Sequence, residues 1–173
     1  SIVFENTYTP SSVVLTGENA IHGTKTLIGR DSKENETFNF TLTEDEKNDK
    51  SGYTIAENGN VASVGSLTDG QASGFNFGDI TFTKRGTYTF YVSEVLPEGA
   101  NESNGYTLEG VTYDNHKETV TVTVTDDYMN NTLVPTVTYD ADGVVFTNKY
   151  DAAEFDGIPT DFTLTKVFEG KEW

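Results

Sequence analysis

Apolar and polar residues alternate with a period of two along much of the chain. Phe38-Asn39-Phe40-Thr41-Leu42, Tyr88-Thr89-Phe90-Tyr91-Val92 and Thr119-Val120-Thr121-Val122-Thr123-Val124-Thr125 each place apolar side chains on one face and polar ones on the other, as half-buried strands do. Between them lie turn-forming stretches such as Glu57-Asn58-Gly59-Asn60, Lys84-Arg85-Gly86 and Asn101-Glu102-Ser103-Asn104-Gly105, rich in the residues that tolerate positive φ. No convincing amphipathic helix occurs, and the best helical piece is short, near Thr43 to Lys50. Many short strands separated by turn signals predict an all-β protein, an antiparallel β-sandwich.

Composition narrows the function classes. The 173 residues carry 28 acidic and 11 basic side chains, a formal charge of −17, which repels phosphate backbones and anionic headgroups and disfavours nucleic-acid binding and membrane attachment. No apolar run approaches the roughly 18 residues of a membrane span, and the N-terminal Ser1-Ile2-Val3-Phe4 has no signal-peptide pattern. The absence of cysteine removes disulfides, thiolate metal sites and cysteine nucleophiles, so any covalent reinforcement needs other chemistry.

A repeat joins the two ends of the chain. Val3-Phe4-Glu5-Asn6-Thr7-Tyr8 recurs as Val145-Phe146-Thr147-Asn148-Lys149-Tyr150, an offset of 142 residues. Thr24-Lys25-Thr26-Leu27-Ile28-Gly29 is echoed by Thr165-Lys166-Val167-Phe168-Glu169-Gly170 at an offset of 141. The agreement of two periods predicts a segment of a tandem array: the last strand of a preceding repeat at 1–9, a linker at 10–20, a complete repeat at 21–150, a linker at 151–160, and the first strand of a following repeat at 161–173.

Three polar residues fall in rows that should be apolar. Glu94 continues the row Tyr88, Phe90, Val92; Asn148 interrupts the row Val144, Phe146, Tyr150; Lys25 shares a face with Leu27. Burial of an isolated carboxylate or ammonium is costly, and such groups move toward neutrality or find partners. A Lys, a Glu and an Asn brought together suit one reaction. A neutral lysine amine attacks the asparagine carboxamide carbon while a protonated Glu, hydrogen-bonded to the carbonyl, relays protons; ammonia leaves, and a Lys to Asn isopeptide bond remains. Proximity supplies the drive, with effective molarities of about 10⁵–10⁸ M for well-oriented groups.

These residues carry a family resemblance. Lys25-Thr26-Leu27-Ile28-Gly29-Arg30, then Phe38-Asn39-Phe40-Thr41-Leu42, Gly86-Thr87-Tyr88-Thr89-Phe90-Tyr91-Val92-Ser93-Glu94, Gly110-Val111-Thr112-Tyr113-Asp114 and Val145-Phe146-Thr147-Asn148 occur in the order seen in the isopeptide-forming domains of Gram-positive major pilins and related cell-wall-anchored surface proteins. The chain resembles streptococcal pilin repeats especially, from about Thr24 to Tyr150. The resemblance implies an Ig-like antiparallel β-sandwich with an intramolecular isopeptide cross-link, Lys25 and Asn148 as its partners and Glu94 as its catalytic acid. It implies a structural stalk or pilus-shaft repeat on the extracellular bacterial surface, in cell wall or pilus, and no enzyme beyond its own single-turnover bond formation. No cofactor is implied. Asn6 and Lys166 are the half-sites of the flanking repeats, and adjacent repeats or head-to-tail copies of the chain are the implied partners. Neither a Tyr-Pro-Lys polymerisation motif nor a Leu-Pro-x-Thr-Gly sorting signal occurs within the 173 residues, so a sortase-assembled pilin and a repeat of a long adhesin stalk both remain open.

Other chemistry fares less well. A Thr to Gln ester would need Gln71, the only glutamine, which lies in loop-like Asp69-Gly70-Gln71-Ala72-Ser73. Asp140-Ala141-Asp142-Gly143 is too compressed for a calcium loop and reads as a hairpin turn, and no metal site is expected; His22 and His116 are the only histidines, the second in a loop. Asn35, Asn39, Asn101 and Asn130 lie in N-x-Ser/Thr sequons that read as coincidental. A glycosidase would need a carboxylate pair that does not stand out from the surface acids. The alternative function is a ligand-binding adhesin module, contacting host glycan or protein through loops such as Ser63 to Phe77 or Leu96 to Tyr106.

Overall fold

The computed structural model describes residues 1–140 and 143–152. Among these residues thirteen strands follow one another in the order β1 (Val13–Leu15), β2 (His22–Ile28), β3 (Thr37–Glu44), β4 (Tyr53–Ile55), β5 (Val61–Gly65), β6 (Ser73–Asn76), β7 (Ile80–Phe82), β8 (Gly86–Glu94), β9 (Thr107–Leu108), β10 (Val111–Thr112), β11 (Lys117–Asp127), β12 (Thr132–Tyr139) and β13 (Val145–Tyr150). The only helical pieces among the described residues are two 3-10 turns, Gly17–Asn19 and Glu102–Asn104.

The strands with the strongest alternation build one sheet, ordered β12-β11-β8-β3-β5 and antiparallel throughout. A second five-stranded sheet runs β6-β2-β13-β10-β9. Their inner faces meet as a β-sandwich: Phe40 of β3 stacks on Phe75 of β6 with ring centroids 3.8 Å apart and tilts against Phe146 of β13 at 5.3 Å. Tyr88, Phe90 and Val92 of β8 and Val120, Val122 and Val124 of β11 complete the core with Leu27 and Val111 from the facing sheet. A smaller sheet, β1-β7-β4, extends the core at one end through Tyr53 and Phe82, which pack against Tyr88.

One pairing departs from the antiparallel expectation. β2 and β13 lie side by side in parallel, with Phe146 opposite Lys25 and Asn148 opposite Leu27. At the end of this pair Gly29 has φ +99°, and a Cβ there would collide with the carbonyl oxygen of Tyr150, so glycine is what lets the two strands stay close.

Three local expectations differ from the structure. Residues 10–20 are not bare linker: Ser11 exchanges backbone hydrogen bonds with Asn131 and Leu133, β1 pairs with β7, and Leu15 is buried. Its alternation spans only three residues, too few to register as a strand. The short helix near Thr43 to Lys50 is absent; β3 runs to Glu44, and then the Asp45 carboxylate accepts the Lys47 amide at 2.8 Å and the Asp49 carboxylate accepts the Ser51 amide at 3.0 Å. Such short polar side chains compete with helical hydrogen bonding for the backbone. Residues 1–9 form no strand, and Ile2, Val3 and Phe4 are 84%, 74% and 87% exposed. The expected hairpin at Asp140-Ala141-Asp142-Gly143 falls partly, and the expected strand at 161–173 wholly, outside the described residues.

Candidate cross-linking site

The inward-facing row of β8 ends on Glu94, whose side chain passes from one sheet into the space between both. β2 presents Lys25 from the opposite sheet, and β13 presents Asn148 beside it. Lys25 and Asn148 are 0% exposed and Glu94 7%. Lys25 Nζ lies 2.6 Å from Glu94 Oε2, and Asn148 Nδ2 donates to Glu94 Oε1 at 2.7 Å. The amine and the carboxamide therefore meet on the two oxygens of one carboxyl group. Around them stand Phe38, with its ring centroid 5.1 Å from Lys25 Nζ, and the core rings Phe40 and Phe146.

Burial dominates the protonation of this pair. It pushes the Lys25 ammonium down in pKa, against the opposing charge and hydrogen bond of Glu94. It pushes the Glu94 carboxyl up, and the nearby Asp114 charge adds to that rise, while Lys25 and Asn148 act against it. Both shifts favour a neutral amine beside a neutral acid, because a low-dielectric site penalises the charged forms.

The asparagine is oriented by a neighbour that the sequence pattern does not single out. Asn148 Oδ1 accepts the backbone N–H of Asp114 at 2.8 Å, and this donor determines which end of the carboxamide is oxygen. Glu94 accordingly sits against the amide nitrogen, not against the carbonyl that the residue pattern leads one to expect. Asp114 follows β10, where strand pairing to β13 stops at Thr112 opposite Lys149. Its carboxylate continues that pairing: Oδ2 accepts the Thr147 amide at 3.0 Å. His116, expected only as a loop residue, bridges Asp114 through Nδ1 and Glu118 through Nε2, and stacks on Phe146 at 4.7 Å.

The remaining site expectations fall elsewhere. Asn6 is exposed and lies outside the strands, and Lys166 lies outside the described residues. Gln71 is an exposed loop residue. Among the described residues no cluster of three or more His, Asp or Glu side chains is arranged to hold a metal, and no helix is long and apolar enough to cross a membrane. Of the two loops considered for ligand binding, Ser63 to Phe77 is partly taken up by β5 and β6, and Leu96 to Tyr106 contains the 3-10 turn at Glu102–Asn104.

A buried Lys–Glu–Asn cluster thus lies between the sheets of an all-β sandwich. Residues 21–151 match the family described as the Spy0128-like isopeptide containing domain, and the chain belongs to that family. Its fold is similar to that of the major pilin from Streptococcus pyogenes, with a TM-score of 0.51 and 22% identity over 76% of this chain and 50% of that one. The major pilin protein T-13 from Streptococcus pyogenes is 24% identical over 79% of this chain and 53% of its own, with a TM-score of 0.46. The chain thus spans about half the length of these pilins. No curated protein gives a significant match.

Proposed function

We propose that this domain is a structural repeat of a Gram-positive surface fibre, a pilus shaft or stalk, stiffened by an autocatalytic isopeptide bond between Lys25 and Asn148. The observation that carries the reading is the convergence of Lys25 Nζ and Asn148 Nδ2 on opposite oxygens of the buried Glu94.

The steps balance without any external reactant. Proton transfer from the Lys25 ammonium to the Glu94 carboxylate yields a neutral amine and a neutral acid, the forms that burial favours. Nζ then attacks Cγ of Asn148, and Oδ1 takes up the negative charge. Glu94 hands its proton to Nδ2, the Cγ–Nδ2 bond breaks and ammonia leaves. The carboxylate recovers a proton from the new amide nitrogen and ends neutral in its apolar surroundings.

The placement of the bond suits a fibre. β2 and β13 open and close the 21–150 unit and run parallel, so tension entering at one and leaving at the other shears the pair, and a covalent tie between them carries that load. The N-terminal Val3 to Tyr8 repeats the β13 pattern and Thr165 to Gly170 repeats that of β2; in this reading they belong to neighbouring repeats, with Asn6 and Lys166 as half-sites and tandem copies as partners. The same reading places the protein at the bacterial cell surface.

Intact mass spectrometry of the purified chain tests this directly. One ammonia less than the sequence mass is expected, restored to full mass in Lys25→Ala, Asn148→Ala and Glu94→Ala. A wild-type chain at full sequence mass would overturn the reading.

A further inference from the structure

We infer that Asp114 is a built-in part of the cross-linking machinery: its backbone N–H is the oxyanion donor for Asn148, and its carboxylate is the positioning group that aims this N–H. The inference rests on the cross-linking reading and assigns the one component that reading leaves open, the group that receives charge on the carbonyl oxygen.

Acyl transfer develops negative charge on the carbonyl oxygen, and a pre-aimed donor in a water-poor site is worth much more there than in solvent. Glu94 does not fill this role, because both its oxygens are committed to nitrogen, Oε2 at Lys25 and Oε1 at Asn148 Nδ2. The Asp114 amide, 2.8 Å from Asn148 Oδ1, is the one donor that Oδ1 has among the described residues.

That amide lies in the short connection between β10 and β11, where no ladder hydrogen bond holds it. What holds it is the residue's own side chain. Oδ2 takes the amide of Thr147, the residue before Asn148, and Oδ1 takes the amide of His116 at 3.3 Å together with the His116 ring. Residue 114 thereby grips β13 twice, by carboxylate at Thr147 and by N–H at Asn148, so donor and acceptor move as one body. Glu118 on β11 holds the far side of the imidazole at 2.7 Å and anchors the assembly to the opposite sheet. The burial of Asp114 would by itself raise its carboxyl pKa, yet the His116 and backbone hydrogen bonds outweigh this and hold it below the ordinary range. The carboxylate is therefore charged and able to accept all three donors.

The test compares Asp114→Ala and Asp114→Asn with wild type by timed cell-free synthesis, acid quench and intact mass, following ammonia loss against acquisition of folded-state protease resistance. Ammonia loss should slow at least about ten-fold in Asp114→Ala relative to folding, with Asp114→Asn, which keeps one acceptor oxygen for Thr147, in between. A second readout serves even where cross-linking yields are low: in the uncross-linkable Lys25→Met chain, the ¹³C signal of Asn148 Cγ should move upfield when Asp114→Ala is added, as the hydrogen bond to Oδ1 loosens. Equal rates of ammonia loss in all three chains, or an unmoved Cγ signal, would overturn the role. A wild-type chain that never loses ammonia would instead overturn the cross-linking reading itself, and the role with it.

Discussion

Lys25 and Glu94 meet at 2.6 Å across the interior of the sandwich, one from β2 and the other from the last position of β8 in the opposing sheet. An ion pair in such a place contributes little net stability, because desolvation offsets most of the attraction. Burial drives the lysine toward the amine and the glutamate toward the acid, the two forms that the proposed amide exchange with Asn148 requires.

The cross-link should dominate thermal stability. Tying residue 25 to residue 148 closes a loop of more than 100 residues, worth about 4–5 kcal/mol by analogy with a disulfide of that span. Asn148→Ala removes the tie and also strands Glu94 Oε1 and the Asp114 N–H, so its melting temperature should fall by roughly 10–25 °C. Calorimetry on the two chains checks this, and a shift of only a degree or two would contradict it.

Phe146 should matter to both packing and chemistry. It lies opposite Lys25 in the parallel pair, tilts against Phe40 and stacks under His116. Phe146→Ala should cost about 3–5 kcal/mol for the cavity alone, read by urea denaturation in the uncross-linkable Lys25→Met chain. With Lys25 restored, the same substitution should lower the cross-linked fraction in intact mass, because the strand that carries Asn148 loses its inner anchor. An unchanged fraction would show that β13 is held well enough without it.

Some of this architecture was legible in the residue pattern and some was not, for physical reasons. Glu94, Lys25 and Asn148 stood out because strand periodicity is strict: a polar residue in an inward row has to be buried, and a buried polar residue has to find partners. Asp114 and His116 sit in a connection with no periodicity, and their contacts depend on how β13 approaches β10, a tertiary fact. The parallel β2–β13 pairing was hidden for a related reason, since alternation tells which face a residue occupies but not the direction of its neighbour. Thr43 to Lys50, the best helical piece in the pattern, forms turns because the Asp45 and Asp49 side chains bind the nearby backbone.

Arg30 and Glu36 close the start of the β2–β3 connection and form a second, partly buried ion pair. The guanidinium forks onto both Glu36 oxygens at 2.7 Å, and its carbon lies 5.1 Å from the Tyr150 ring centroid at the end of β13. The Arg30 hydrogen bonds are the chief cause holding Glu36 below the ordinary 4.5, against some desolvation. A depressed carboxyl contributes stability that is present above the unfolded value and lost as pH falls through the folded one. Stability should therefore drop below about pH 4.5, less steeply in Glu36→Gln. Arg30→Lys, which cannot fork or stack, should cost roughly 1–2 kcal/mol at neutral pH; denaturation midpoints across this pH range measure both.

His116 predicts the opposite dependence at higher pH. Its ring is partly exposed, and burial alone would lower its pKa, but the hydrogen bonds and charges of Asp114 and Glu118 outweigh this and raise it above 6.5. Folding thus binds the imidazolium more tightly than the unfolded chain does. That contribution is complete below pH 6.5 and disappears as pH rises through the folded value. Melting temperature should decline as pH rises above 6.5, and His116→Gln should decline less. Glu94, raised by burial, runs in the same direction, so the discriminating quantity is the difference between wild type and His116→Gln, not the slope of either. Because the ring reaches solvent, the difference should also shrink in about 1 M salt, where exposed charges are screened within about 3 Å. Parallel curves for the two proteins would mean that the His116 bridge between Asp114 and Glu118 adds no charge-dependent hold on β13.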